Sequence, residues 1–306
     1  MRFKVITGSA FVVLIVGVGL LLAAVLHSGA DSAPENENVV LLAAGDIAEC
    51  DHQGDEATAR ILAEYPHAAI ATLGDNAYQD GTLEEFENCY APTWGKFKDR
   101  TMPATGNHDE ATKNAQGYWD YFGSSGGPYD KYYYSYDLGS WHVVVLNSDC
   151  WRVDGCAIDD PQAEWLRHDL EQHPTLCTLA YWHRPPFSSG RYGAPNETAR
   201  VRPLWRVLNE QGADVLLTGH EHSYERFAPM DAEGKPDDAK GVRLFVVGTG
   251  GGNLRPFENP PLPTTETRQD DTWGVLKLEL NPTGYDWNFL PVAGSSFSDS
   301  GAGSCH

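Results

Sequence analysis

Residues 68–78 read AAIATLGDNAY, a short apolar run that ends in a glycine and then in polar side chains. An apolar run of this length, bounded by a turn signal, is typical of a buried strand. Four further segments repeat the pattern: Val39–Ala44 leads into Gly45-Asp46, Met102–Thr105 into Gly106-Asn107-His108-Asp109, Cys177–Trp182 into His183, and Ala213–Thr218 into Gly219-His220-Glu221-His222. In open α/β sheets ligands gather beyond the carboxyl ends of the strands, so the repeated pattern predicts one shared site.

Helix signals separate these runs, and the predicted fold class is therefore α/β with mixed sheets. Helices are predicted at Asp55–Tyr65, from the capping box Thr82–Glu85, from Asp160-Pro161 onward, and at Pro203–Gln211. Tyr132–Leu138 and Trp141–Asn147 predict a hairpin, and later strands are predicted at Arg243–Val247, Val275–Leu280 and Tyr285–Leu290. We expect one catalytic domain over residues 39–293 and an irregular Ser- and Gly-rich tail over residues 294–306.

The polar residues that follow the strands suit a pair of metal ions. Hydrolysis of a phosphoester requires a polarised phosphate oxygen and an activated water, and two metals about 3.5–4 Å apart supply both. Carboxylates are hard anionic ligands, whereas imidazoles suit a divalent ion such as Zn²⁺ or Fe²⁺. The sequence offers carboxylate, amide and imidazole ligands in Asp46, Asp75, Asn107, His183, His220 and His222.

These polar blocks, taken in order, resemble those of the calcineurin-like metallophosphoesterase superfamily. Two positions narrow the resemblance. Most of the superfamily carries a histidine ligand two residues after the first aspartate, where this chain has Ala48. Tyr78, three residues after Asp75, matches the tyrosine that is the signature of the purple acid phosphatases. The resemblance extends over about residues 39–291, nearly the whole chain after its first segment.

The resemblance implies a four-layer α/β/β/α sandwich and hydrolysis of phosphate monoesters by a metal-bound hydroxide. The implied ligands of a ferric ion are Asp46, Asp75, Tyr78 and His222. The implied ligands of a divalent ion, Fe(II), Zn or Mn, are Asp75, Asn107, His183 and His220, so that Asp75 bridges the two ions.

Three further residues are candidates for work on the substrate. His108 is a candidate proton donor or phosphate contact, and Asp109 is expected to orient it by a hydrogen bond. Purple acid phosphatases often have substrate-facing histidines shortly after the fourth block, but residues 184–192 read RPPFSSGRY. Arg191 is therefore a candidate phosphate clamp, because a guanidinium binds phosphate in a bidentate manner. A structural role for His108 and a solvated role for Arg191 remain open.

Charge limits the choice of partner. The chain of 306 residues has 22 basic and 43 acidic residues and a net charge of −21. That charge argues against nucleic acid or an anionic membrane surface as the main partner. It is compatible with a small phosphate ester, because bound metal ions reverse the sign of the local field. The sequence does not indicate an oligomeric state.

The first 30 residues read as a targeting segment. Arg2 and Lys4 precede an apolar run over Ala10–Leu26, and small residues suit a cleavage before Asp31. A cleaved signal peptide and an uncleaved anchor through residues 5–26 both remain open. Residues 31–38 read as a linker. In either case we expect an exported protein, secreted or anchored at the extracytoplasmic face, because the positive charges precede the run.

The cysteines agree with export. All 6 follow the targeting segment, and an even number of cysteines in an exported chain favours disulfides. Cys150 and Cys156 are close enough in sequence to close a local loop. The remaining pairs, Cys50–Cys89 and Cys177–Cys305, are a hypothesis that spacing does not support.

Two other functions remain open. A phosphodiesterase or nucleotidase on the same fold would use the same metals and differ in the cleft beyond them. A non-catalytic cell-surface binding protein could also keep the fold, although every ligand position carries a side chain able to bind a metal.

Overall fold

The computed structural model describes residues 38–306, so the predicted targeting segment and all but the last residue of the linker lie outside it. Its strands are β1 Val39–Ala44, β2 Ala69–Leu73, β3 Thr101–Ala104, β4 Tyr134–Leu138, β5 Trp141–Val145, β6 Cys177–Trp182, β7 Val215–Thr218, β8 Tyr224–Phe227, β9 Arg243–Val247, β10 Thr265–Gln269, β11 Gly274–Asn281, β12 Gly284–Pro291 and β13 Ser300–Ser304.

The α-helices are α1 Gly54–Ala63, α2 Leu83–Glu85, α3 Gln116–Phe122, α4 Pro161–Gln172, α5 Pro195–Thr198 and α6 Arg202–Glu210. Shorter helical turns lie at Phe86–Tyr90, Trp94–Arg100, Lys113–Ala115 and Gly123–Gly126. The predicted capping box is present, with Thr82 and Glu85 each bonded to the other's backbone. Among residues 38–306, none of these helices is both long enough and apolar enough to cross a bilayer.

The strands form two mixed sheets. The first has the order β13-β12-β11-β1-β2-β3, and the second has the order β10-β8-β9-β7-β6-β5-β4. In the first sheet β1, β2 and β3 run parallel. In the second sheet β5, β6, β7 and β9 run parallel. The strands predicted to end in ligands are among these parallel strands, and β4–β5 is the predicted hairpin.

The two faces of the second sheet belong to two different cores. Val143 and Val145 of β5 join the core shared with the first sheet, where Leu41 of β1 lies. Val144, which points the other way, joins a second core with Leu166 of α4. Successive side chains of a strand point to opposite faces, so each face of this sheet is covered. The predicted four-layer sandwich in a single domain is confirmed.

The C-terminal tail differs from the prediction. Residues 300–304 form β13, which pairs with β12 from Gly284 opposite Ser304 to Asn288 opposite Ser300. The expectation of an irregular tail was therefore wrong for these residues. A Ser- and Gly-rich segment has no apolar alternation, so its strand comes from the partner β12 rather than from its own composition.

The cysteine pairing is as predicted. Cys50 bonds Cys89, Cys150 bonds Cys156, and Cys177 bonds Cys305. The last of these connects the start of β6 in the second sheet to the end of β13 in the first. The disulfide thus joins the two sheets covalently.

Candidate metal centre

The backbone beyond β1 and β2 continues the parallel pairing of the strands. The N–H of Asp46 donates to the carbonyl of Gly74 at 3.0 Å, and that of Ala48 donates to the carbonyl of Asn76 at 3.1 Å. Asp46 and Asp75 both adopt left-handed backbone conformations, with φ of 59° and 50°. Non-glycine residues adopt this conformation uncommonly, and strained backbone of this kind clusters at functional sites. The strained turns bring both carboxylates to the same point.

Small residues leave room for these carboxylates. A Cβ added to Gly106 would collide with Oδ1 of Asp75, and a Cβ added to Gly248 would lie 2.7 Å from Oδ2 of Asp46. Larger residues at these positions would displace the acidic groups. The loops after β3 and β9 therefore approach the site as bare backbone.

Three candidate ligands converge on the hydroxyl of a fourth, Tyr78. It donates to Oδ1 of Asp46 at 3.0 Å, and it lies 3.3 Å from Oδ2 of Asp75 and 3.2 Å from Nε2 of His222. The N–H of Tyr78 donates to the carbonyl of the fully buried Ala48 at 3.0 Å. The backbone at position 48 thus pairs with that of the tyrosine that reaches the cluster.

A second group shares Asp75 with the first. Oδ2 of Asp75 lies 3.1 Å from Nε2 of His183, which in turn lies 3.2 Å from Nδ1 of His220. His220 has a left-handed backbone, with φ of 71°. One carboxylate oxygen of Asp75 therefore contacts both groups.

The outer nitrogens of two histidines are tied to backbone carbonyls. Nδ1 of His183 lies 2.8 Å from the carbonyl of Leu73, and Nδ1 of His222 lies 2.6 Å from the carbonyl of Asn253. A carbonyl only accepts, so each Nδ1 donates a proton to it and each Nε2 faces the cluster. Such outer hydrogen bonds fix the ring orientation of metal-binding histidines.

The cluster is electrostatically suited to cations. Burial, followed by the charges of Asp46 and Asp75, raises the pKa of Tyr78 well above its ordinary value. Its phenol would therefore ionise only beside a strongly charged cation. Burial acts to raise the pKa of Asp75, but the charge and hydrogen bond of His183 outweigh burial and lower it. Asp75 is thus an anion that lies between the group around Tyr78 and the group formed with His183 and His220.

Two metal ions fit this donor set. Two carboxylates, a phenol and an imidazole form an anionic, mainly oxygen-donor group that suits a highly charged cation. One shared carboxylate and two imidazoles form a softer group for a divalent ion, to which Asn107 would add an amide oxygen. Six of the seven predicted ligands are joined to one another by the contacts of 3.0–3.3 Å given above. Asn107 is joined to them through Arg184.

His108 lies at the edge of the cluster. Its N–H donates to Oδ1 of Asp75 at 2.8 Å, its Nδ1 lies 2.5 Å from the carbonyl of Gln79, and its ring is 4.6 Å from that of Tyr78. Its Nε2 is 4.0 Å from Oδ2 of Asp75. With 30% of its side chain exposed, His108 is accessible to a ligand from solvent.

Asp109 does not orient His108, contrary to the sequence-based expectation. Its carboxylate is fully buried and accepts from the N–H and side-chain amide of Asn76 and from the N–H of Gly106. Burial, together with the charge of Asp75, raises the pKa of Asp109 to about 7. The carboxylate joins the turns after β2 and β3, because its hydrogen-bond donors belong to Asn76 and Gly106.

Arg191 lies at the rim. A cleft of about 310 Å³ is lined by Arg191, Arg255, His108 and the candidate ligands Tyr78 and His222, among others. The Arg191 side chain is 55% exposed, and its nearest carboxylate is that of Glu258, at 3.9 Å. Its guanidinium is therefore available to an anion that enters the cleft.

Sequence reasoning missed several residues around the centre. Arg184 contacts two candidate ligands and the buried Asp149. Glu221, between two histidine ligands, accepts from the N–H of Tyr192, whose ring stacks on His220 at 4.6 Å. The position of Arg184 directly after His183 was a usable signal, whereas the contacts of Asp149 and Tyr192 depend on tertiary structure.

The chain belongs to the calcineurin-like phosphoesterase family, whose sequence profile matches residues 22–224. Within this family it is purple acid phosphatase-like. It is 30% identical over 157 residues to purple acid phosphatase 21 of Arabidopsis thaliana, covering 48% of this chain and 34% of the relative. It is 26% identical over 246 residues to acid phosphatase type 7 of Mus musculus, covering 69% of this chain and 55% of the relative.

The fold agrees with a solved relative. Purple acid phosphatase PPD1 from yellow lupin (Lupinus luteus) seeds superposes with a TM-score of 0.71 at 20% identity, covering 89% of this chain and 54% of that one. The chain thus spans about half or less of the length of these proteins. Other matched Arabidopsis proteins are named probable inactive purple acid phosphatases.

Proposed function

We propose that this chain is an exported phosphohydrolase that cleaves phosphate monoesters with a pair of metal ions. The observation that carries the proposal is the shared position of Asp75, whose Oδ2 lies 3.3 Å from the Tyr78 hydroxyl and 3.1 Å from Nε2 of His183. A shared carboxylate between a phenol-containing group and an imidazole group is the donor arrangement of a mixed dinuclear centre.

The proposed ligand sets are those implied by the resemblance. Asp46, Asp75, Tyr78 and His222 would hold the ferric ion, and Asp75, Asn107, His183 and His220 would hold Fe(II), Zn or Mn. When bound, the pair would activate a water and polarise a phosphate oxygen.

The surrounding residues supply the remaining steps. In the overall reaction a water oxygen bonds to phosphorus, the ester bond breaks, and the departing oxygen takes up a proton. His108 is the proposed proton donor, because its Nδ1 is fixed by the Gln79 carbonyl while its Nε2 faces the cluster. Arg191 is the proposed clamp for the phosphate at the rim.

Tyr78→Phe tests the assignment most sharply. A ferric phenolate absorbs visible light by ligand-to-metal charge transfer, so the metal-loaded protein should be violet to pink. The substitution keeps the ring but removes the ligand oxygen, so the colour should vanish and the bound iron or the activity should fall. Visible spectra, metal analysis and hydrolysis of a chromogenic monoester measure these effects. A variant that keeps its spectrum and its iron would show that Tyr78 is only a packed aromatic residue.

The same assays separate the alternatives. A wild type that cleaves diesters but no monoester between acid and neutral pH would favour the phosphodiesterase reading. A colourless wild type, active with zinc or manganese alone, would keep the dinuclear hydrolase but remove the ferric assignment. Two bound metals with no hydrolysis of either ester class would favour the non-catalytic binding protein.

Export is supported by the three disulfides, since such bonds persist in oxidising compartments. Thiol titration of the denatured, unreduced protein should find almost no free thiol. Six free thiols in protein from its native compartment would contradict export.

A further inference from the structure

Arg184 places a guanidinium against the proposed divalent half of the centre. Nη2 donates to Oδ1 of Asn107 at 3.0 Å, and Nη1 lies 2.9 Å from Nε2 of His220. Only 16% of the Arg184 side chain is exposed. We propose that Arg184 binds the phosphate of the substrate at this half of the centre, an inference that rests on the proposed function.

Neighbouring residues hold the Arg184 guanidinium in a fixed position. Its Nε donates to Oδ1 of Asp149 at 2.9 Å, and the Asp149 side chain is fully buried. The backbone N–H of Arg184 donates to Oγ of Ser148 at 2.9 Å. The loop closed by the Cys150–Cys156 disulfide places the Trp151 ring 5.3 Å from the guanidinium. Arg184 is therefore fixed by an ion pair, a backbone bond and an aromatic face.

The fixed guanidinium has hydrogen-bonding capacity to spare. An arginine side chain carries five N–H groups in one plane; two of those of Arg184 donate to Asp149 and Asn107, and Nη1 faces Nε2 of His220. One N–H on each terminal nitrogen remains. A planar pair of donors matches two oxygens of a phosphate, which the single ammonium of a lysine does not.

Charge supports the same role. Candidate ligands Asp46 and Asp75 and the nearby Asp149 are all buried carboxylates, in a chain of net charge −21. A phosphate dianion that approaches this site is stabilised by nearby cations in addition to the metals. Arg184 is a fixed cation in contact with the site, whereas the exposed Arg191 lies at the rim.

The test compares Arg184→Gln and Arg184→Lys with a control, Arg200→Gln. Arg200 is exposed, and its guanidinium lies 6.0 Å from the Trp151 ring. The control therefore removes another arginine that lies near the same ring. For each metal-loaded protein, metal content, calorimetric binding of inorganic phosphate, and kcat and KM for a monoester are measured.

We expect Arg184→Gln to weaken phosphate binding and raise KM by about 10- to 100-fold, the range for a lost hydrogen bond to a charged group. Arg184→Lys should retain only part of the affinity, and both variants should keep two metals. Arg200→Gln should match the wild type in every measurement.

Unchanged phosphate affinity in a fully metal-loaded Arg184→Gln would overturn the inference. Loss of a metal from both variants would also overturn it, because Arg184 would then support Asn107 and His220 rather than bind phosphate. If Arg184→Gln does not fold, the comparison of Arg184→Lys with the wild type decides. Phosphate binding does not require turnover, so a protein that fails to hydrolyse monoesters but loses phosphate affinity in Arg184→Gln would refute the proposed function alone.

Discussion

Two clusters of histidine and carboxylate stand out in residues 38–306, the candidate metal centre at the strand ends and a second one on the outer face of the second sheet. The second consists of His142 on β5, Asp137 on β4, and Asp169 and His173 at the end of α4. Both clusters bring imidazole nitrogens and carboxylate oxygens within a few ångströms. They differ in what the ring nitrogens already contact.

In the second cluster the carboxylates occupy both nitrogens of His142. Nδ1 lies 2.8 Å from Oδ1 of Asp137, and Nε2 lies 2.9 Å from Oδ2 of Asp169. The rings of His142 and His173 are stacked, with centroids 4.5 Å apart and planes at 12°. Stacked rings do not direct their in-plane lone pairs at a common point. The contacts describe an imidazolium held between two carboxylates.

The comparison distinguishes buried histidines that keep a ring nitrogen for a ligand from those that only stabilise the fold. His183 and His222 give one nitrogen to a backbone carbonyl and keep the other for the cluster. His142 gives both nitrogens to carboxylates, and so it ties the hairpin to α4. Proximity of histidine and aspartate alone would not separate the two cases.

Asp75→Asn should have the largest effect, because it removes the charge shared by both halves of the centre. We expect loss of both metals and a fall in monoester hydrolysis of at least about 10³-fold, as several kcal/mol of metal stabilisation disappears. Metal analysis and steady-state kinetics measure the effect. His142→Gln is the matched control and should keep both metals. Retention of two metals by Asp75→Asn would refute the bridging role.

His142→Gln should have an intermediate effect, on stability alone. Replacing the buried partner of Asp169 should lower the free energy of unfolding by about 3 kcal/mol. Denaturant unfolding of the metal-loaded protein measures it. A loss of metal from this variant would show that the two clusters are not independent.

The pH dependence sharpens this prediction. Burial acts to lower the pKa of His142, but the hydrogen bonds that His142 donates to Asp169 and Asp137 outweigh burial and raise the pKa. The stabilisation is therefore complete below the unfolded pKa of about 6.5 and is lost as pH rises through the higher folded value. The pKa of Asp169 is lowered, so its share is present above about 3.9 and is lost as pH falls through its folded value. The stability difference between wild type and His142→Gln should be largest between these limits.

Asp137→Asn should have the smallest effect. Its side chain is 68% exposed, so solvent screens its interaction with His142. We expect a loss of stability of at most about 1 kcal/mol, decreasing with added salt. Unfolding curves at low and high ionic strength measure it. A loss of stability as large as that of His142→Gln would mean that Asp137 contributes most of the stabilisation that His142 provides.

The sequence predicted the ligands of the candidate metal centre better than the residues that surround those ligands. Each predicted ligand follows an apolar run or lies within three residues of another predicted ligand that does. The predicted ends of the strands were therefore enough to group Asp75 with His183. Asp149 could not be found in this way, because it lies 35 residues before Arg184 and meets it only through the neighbouring strands β5 and β6. The strand β13 was missed for a similar reason, because its pairing partner determines its conformation.

The candidate ligands come from both sheets, and this has a thermodynamic consequence. Asp46 and Asp75 follow strands of the first sheet, whereas His183 and His220 follow strands of the second. Under the proposed assignment, ions at this junction bind the associated sheets and not the unfolded chain. By linkage, a free ion at 1,000 times its dissociation constant adds about 4 kcal/mol to the folded state. The supply of metal in the compartment would then set the stability of the folded protein as well as its activity.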